Sequence, residues 1–149
     1  MYAEISAKFT SLIADYLKNP LRLTSQCSID FQPFPSMIGQ QTARHGGNAM
    51  GLAGDDPDRV LLEIQCSWAD RGDDGIFVEA SRDLVAWLEV KVPEWTGGTT
   101  QLYLPFLMND AAGDQNVTGG YRDYARLKAL QAAADPEQFW SSQGGGFTY

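Results

Sequence analysis

Two stretches of this chain switch from helical to twofold periodicity, and that alternation limits the possible folds more than any other feature. Between Leu21 and Gln32, the apolar residues Leu21, Leu23, Cys27, Ile29 and Phe31 fall mainly on alternate positions, with Arg22, Thr24, Gln26, Ser28, Asp30 and Gln32 between them. Further on, Leu62, Ile64, Cys66 and Trp68 alternate with Leu61, Glu63, Gln65 and Ser67. A strand sends successive side chains to opposite faces, so each stretch predicts one buried face and one polar face. Gly97-Gly98 leads into a third predicted strand, Thr100 to Met108.

The segments between the strands read as helices. Ile5, Phe9, Leu12, Ile13, Tyr16 and Leu17 form one apolar stripe, ended by Asn19-Pro20 because proline disfavours a helical residue before it. Ile76, Ala80, Leu84, Leu88 and Val92 repeat every four residues and predict a long helix stopping at Pro93. A short helical segment is expected over Ser36 to Thr42. A last long helix is expected from Gly119 to Ala134, with Tyr124, Leu127, Leu130 and Ala134 on its inner stripe. Strands interleaved with helices, each strand polar on one side, predict an α+β fold: an antiparallel sheet with helices packed on one face, an open-faced sandwich.

The chain has 149 residues, enough for a single domain over residues 1–149 with its own core. Its net charge of −8 and only 11 basic residues, scattered along the chain, argue against a nucleic-acid partner. No apolar run is long enough to span a membrane, and Met1-Tyr2-Ala3-Glu4 does not open a signal peptide, so a cytoplasmic protein is expected. Cys27 and Cys66 lack CxxC spacing, so neither a zinc site nor a redox pair is indicated. Each lies on the apolar side of a strand and is expected to be a reduced, buried, small hydrophobe.

The uncovered sheet face is the candidate site. Gln26, Ser28, Gln32, Glu63, Gln65 and Ser67 project from it, joined by Tyr103 and Asn109 if the third strand keeps parity. Neutral amides and hydroxyls with Phe31, Phe34 and Met108 nearby suit a pocket wall that orients a mostly apolar small molecule. The same face could instead pair with a second copy of the chain; the readings are compatible, and a homodimer is expected. His45 is the one histidine, the natural candidate for proton transfer near neutrality. Its place between Arg44 and two glycines equally predicts an exposed side chain with no role.

Several motifs, taken in order, carry a resemblance. They are Asp30-Phe31-Gln32-Pro33-Phe34-Pro35, Gly46-Gly47-Asn48-Ala49-Met50-Gly51-Leu52, and Leu107-Met108-Asn109 followed by Asp114-Gln115-Asn116. Ala134-Asp135-Pro136 and the terminal Gly145-Gly146-Phe147 complete them. Together they resemble the C-terminal substrate domain of flavin-linked oxidoreductases related to berberine bridge enzyme, particularly fungal members. The resemblance implies that the bare sheet face lay over a flavin in the parent enzymes, with Asn109 at the asparagine of their Tyr-x-Asn motif. Leu107 stands where that motif has its tyrosine. The family's flavin-binding glycine loop and flavin-attaching histidine are not found. In Arg44-His45-Gly46-Gly47-Asn48 the histidine precedes the glycines, and the segment matches the substrate domain's own Gly-Gly-Asn.

Two functions follow. The first is a cofactor-independent biosynthetic enzyme of secondary metabolism, a cyclase (such as a [4+2] cyclase) or isomerase that shapes an apolar natural-product precursor. Asn109, Gln65 and His45 are its catalytic candidates, and Gln32, Phe31, Phe34, Glu63, Tyr103 and Met108 its substrate-binding candidates. The second is a non-catalytic chain, or a split-subunit partner of a separately encoded FAD-binding domain.

Overall fold

The computed structural model describes residues 1–22, 25–98 and 102–149. It is an α+β protein whose described residues contain a two-stranded antiparallel sheet, β1 (Gln26–Phe34) and β2 (Arg59–Ser67). Among the described residues six helices accompany it: α1 (Tyr2–Leu12), α2 (Ala14–Leu17), α3 (Met37–Arg44), α4 (Asp74–Trp95), α5 (Tyr124–Ala134) and α6 (Phe139–Gln143). The chain divides into two compact units, Met1–Phe31 with Leu62–Leu102 and Gln32–Leu61 with Tyr103–Tyr149. Each strand passes from one unit to the other partway along its length.

In the first unit, the periodicities of strand and helix meet in one core. Ile5, Phe9, Ile13 and Tyr16 come from the N-terminal helices, and Phe77, Ala80 and Leu84 from α4. Cys27, Ile29 and Phe31 of β1 pack against them, as do Leu62, Ile64 and Cys66 of β2, which are the residues that the alternation assigns to the buried face. Phe77 is the aromatic centre: Trp68 stacks on it at 4.7 Å and Tyr16 meets it edge-on at 4.8 Å. The Trp68 indole N–H donates to Asp74 at the start of α4 (2.6 Å), which gives the ring's polar edge a partner. Leu21, assigned to the apolar face from sequence, lies before the strand and is exposed, while Leu23 and Thr24 fall outside the described residues.

Cys27 and Cys66 are not reduced thiols; they form a disulfide across β1 and β2, with Cα atoms 4.2 Å apart. That separation matches the narrow, non-hydrogen-bonded kind of antiparallel pair. Alternation had placed both cysteines on the same kind of face, but it does not give register, and register is what puts them opposite each other. In the chain-entropy view, closing a loop over a sequence separation of 39 stabilises the fold by about 4 kcal/mol. The same register continues to Pro33, which lies six residues from Cys27 and so directs its missing N–H to the outer edge of β1. The proline therefore sits inside the strand without breaking the ladder.

The third strand does not form within the described part of its range. Leu102–Leu107 carries no ladder, and Thr100 and Gln101 lie outside the described residues. Pro105 supplies the reason, because it removes a ladder donor from the middle of the segment. Helix α4 runs two residues beyond Pro93, where losing one late hydrogen bond is tolerated, and Gly97 and Gly98 then turn the chain at positive φ. In the second unit, Thr118–Gly120 is a 3₁₀ turn and α5 begins only at Tyr124. Helix α5 buries none of its residues, and Leu130, expected on an inner stripe, is 59% exposed. The buried apolar side chains here are instead Leu52, Val117 and Tyr121. The Thr118 hydroxyl donates to the Thr148 carbonyl (2.7 Å) and so holds the C-terminal tail. Gly39 of α3 lies so close to the Ala53 carbonyl that a side chain there would overlap it.

Leu84 is fully buried in the first core, so Leu84→Ala should lower the unfolding free energy by about 2–5 kcal/mol in a urea titration. The neighbouring exposed Val90→Ala should change it by less than about 0.5 kcal/mol.

Candidate functional site

Side-chain parity puts Gln26, Ser28, Gln65 and Ser67 on the strand face away from the helices. With Cys66 they line an open hollow of about 280 Å³ in the first unit. The hollow is dressed in neutral hydrogen-bonding groups. Gln65 donates from its amide to the Glu63 carboxylate, and the Ser28 hydroxyl donates to Asp30 (3.2 Å). These neighbouring carboxylates orient the amide and the hydroxyl along the strand. Chemically, the surface can orient and polarise a carbonyl or hydroxyl.

The other expected site residues are distributed as follows. Phe31 turns toward the helices and meets Tyr2 edge-on at 4.8 Å, which takes it off the polar face; its odd-numbered parity, shared with Cys27 and Ile29, accounts for this. Gln32, Phe34, Tyr103, Met108, Asn109 and His45 belong to the second unit. Gln32 and Asn109 are exposed, whereas Phe34 and Met108 are partly buried. Asn109 sits in a turn closed by the Asp110 N–H on the Leu107 carbonyl (3.1 Å). His45 is exposed just after α3, with Nδ1 2.7 Å from the Gln41 carbonyl oxygen.

Tyr103 is committed to holding the second unit together. Its hydroxyl donates to the Met50 carbonyl and accepts from the Arg122 backbone N–H (3.2 Å), and the Arg122 guanidinium lies 3.9 Å above its ring. Burial raises the pKa of the phenol, so it stays neutral. Beside it is a cluster that sequence reasoning missed. Asp56, 7% exposed, accepts a bidentate pair from Arg122 (2.8 and 2.9 Å) and a backbone N–H from Ala53 (2.8 Å). Arg59 Nη2 stands 3.2 Å from the same carboxylate, close enough for an ion pair but not aligned as a hydrogen bond. Arg59 Nε donates to the Tyr103 carbonyl (2.8 Å). The Arg122 hydrogen bonds hold the Asp56 carboxyl down to a pKa of about 2, against the opposing effect of burial. A carboxylate so firmly ionised is neither an acid nor a base near neutrality. Asp56 and Arg59 lie three residues apart, a local hint, but Arg122 is 66 residues from Asp56 and nothing local announces it.

The glycine segment is also committed internally. The Gly47 N–H donates to the Thr42 carbonyl (2.7 Å), the Gly51 N–H to the Asn48 carbonyl (3.0 Å), and the Leu52 N–H to the Asn48 side chain (3.3 Å). Gly51 has φ +70° and packs directly on Arg122. A dinucleotide diphosphate needs several free N–H groups converging on it, and these amides do not fit that task. Among the described residues, no three His, Cys, Asp or Glu side chains gather as a metal site requires. No helix among them is long and apolar enough to cross a membrane.

The sequence is 30% identical over 120 residues to a FAD-dependent monooxygenase, drtC, of Aspergillus calidoustus. The match covers 78% of this chain and 22% of that protein, so the chain spans about a fifth of the relative's length. No protein-family model and no solved structure matches it. The similarity is thus to one part of a fungal FAD-linked oxidoreductase.

The Asp56 cluster sets a pH dependence. The folded-state pKa lies below the ordinary value, so the stabilisation is complete above about pH 4 and is lost as pH falls toward 2. Its size is about 2 kcal/mol from the pKa difference. Denaturant titrations at pH 5 and at pH 2.5 should show this loss, with a markedly smaller one in Asp56→Asn.

Proposed function

We propose that this chain is a flavin-free biosynthetic enzyme of secondary metabolism, a cyclase (such as a [4+2] cyclase) or an isomerase, descended from the substrate-handling part of an FAD-linked oxidoreductase. The observation carrying this reading is the hollow on the bare face, lined by Gln26, Ser28, Gln65 and Ser67. Similarity to a part of a fungal FAD-dependent monooxygenase supports it. Such a surface suits a reaction driven by holding reacting ends together, in which orientation alone supplies several kcal/mol and up to roughly 7–11 in ideal intramolecular cases. An amide donor at a developing negative charge adds electrostatic stabilisation.

In this proposal Gln65 is the oriented donor, supported by Glu63. In the second unit, Asn109 offers an amide and Gln32, Phe34 and Met108 are candidate contacts to a mostly apolar small molecule, while Tyr103 organises the loops there. His45 is assigned no proton transfer, because its exposed position leaves it without a site around it. Residues 1–149 act as one substrate domain, in the cytoplasm, as a homodimer. Helix α5, which buries none of its residues, and the exposed pair Phe139 and Trp140 support self-association. A second reading, a split-subunit partner of a separate FAD-binding domain, is favoured by the match to only 22% of a flavoprotein.

Deleting the gene in its host and comparing metabolites tests the choice. A flavin-free cyclase or isomerase leaves an accumulated precursor with the same mass as the lost product. A split flavoprotein leaves a precursor differing by hydrogen or oxygen, which overturns the first reading. With that precursor as substrate, Gln65→Ala should lower kcat roughly 10- to 1000-fold without added flavin, and His45→Ala should have little effect.

A further inference from the structure

We propose that the Cys27–Cys66 disulfide is a redox switch that sets the order of the hollow on the bare strand face. The inference adds regulation to the reading of that hollow as the working surface, and it rests on that reading. It also follows from three structural observations. The first is position. Cys27 and Cys66 form the second pair from the open end of the ladder, where β1 begins and β2 ends. The chain joining the strands leaves from the opposite end, at Phe34, and returns at Arg59 through α3 and the glycine segment. At the open end the disulfide is the covalent link between the strands, and Gln26, Ser28, Gln65 and Ser67, which line the hollow, are its immediate neighbours.

The second observation is the economy of the sheet. It has two strands among the described residues, so each has a neighbour on one side alone. A two-stranded ladder is marginal by itself, and its ends fray first. The buried face anchors Ile29 and Ile64 beneath the helices, and at the open end the bond between Cys27 and Cys66 ties the two strands directly to each other. The third is access. Both cysteines are only partly buried and lie one pair in from the open end of the ladder, so a small thiol can reach the bond when that end frays, without unfolding of the Phe77–Leu84 core.

The chemistry is thiol–disulfide exchange with a cellular thiol such as glutathione. A glutathione thiolate attacks one sulfur, forming a mixed disulfide and releasing the other cysteine. A second glutathione thiolate then attacks the glutathione sulfur of the mixed disulfide, forming oxidised glutathione and releasing the remaining protein cysteine. Two glutathione thiols become one disulfide, and the protein disulfide gains two electrons and two protons as Cys27 and Cys66 thiols. In a cytoplasmic protein, disulfides are usually transient and redox-sensing, which matches the proposed location.

The test uses the purified full chain and no substrate, so its outcome is independent of the catalytic proposal. The protein is equilibrated in glutathione buffers of varied oxidised-to-reduced ratio, the thiols are trapped by alkylation, and hydrogen exchange is followed by mass spectrometry. The switch requires reversible conversion between the two forms while α4 stays protected. It also requires exchange at residues 26–29 and 65–67 to quicken about tenfold or more on reduction. Cys27→Ala/Cys66→Ala should resemble the reduced form in every buffer. Unchanged exchange at the strand ends overturns the proposal. So does a disulfide that yields only with global unfolding, which would make it a structural staple, and so do thiols that stay free in fully oxidised glutathione. If the double variant does not fold, the reversible wild-type titration decides alone.

Discussion

The burial of one face of a strand pair beneath helices is the constraint on which the first unit depends. A two-stranded ladder has too little area to be stable in water, and its apolar side chains need a lid. Phe77 and Leu84, on one stripe of α4, supply that lid together with Ile5, Phe9, Ile13 and Tyr16. Fully burying a Phe or Leu side chain contributes roughly 1.5–3 kcal/mol. The polar face follows directly: with the apolar residues turned to the helices, parity sends Gln26, Ser28, Gln65 and Ser67 to the other side. The candidate site is therefore a by-product of core formation, set by the same twofold period.

The second unit is organised on a different principle. Its apolar core is small, and a charged cluster does much of the joining. Asp56 gathers two arginines and a backbone amide, while Tyr103 lies against Arg122 and holds the Met50 carbonyl. Removing one member of such a cluster leaves a buried charge uncompensated, so its members stand or fall together. The same saturation disqualifies it as a catalytic centre, since ionised and neutral states are locked rather than poised.

What was legible in the sequence was what has a short period. The stripe through Ile5, Phe9, Ile13 and Tyr16, the four-residue repeat of α4, and the alternation ending at Phe31 and Cys66 each depend on neighbours within a few residues. All appear in the core. What was not legible depends on separation. The register that pairs Cys27 with Cys66, and the meeting of Asp56 with Arg122, are decided by the whole chain. The third strand failed for a reason present in the sequence, since Pro105 sits in its middle. Phe31, drawn into the site for its ring, was placed elsewhere by its own parity. The apolar positions of α5 mimic a stripe, yet none of them is buried.

Pro33 makes the two sides of the ladder unequal. Its ring and missing N–H fall on the outer side of β1, so a strand approaching there meets a lost donor and a steric block. Along β2, from Val60 to Cys66, no proline interrupts the outward-pointing amides. The sheet is consequently directional: it resists extension at β1 and tolerates it at β2. A chain with so short a ladder thus avoids the two-sided edge from which open-ended strand stacking grows.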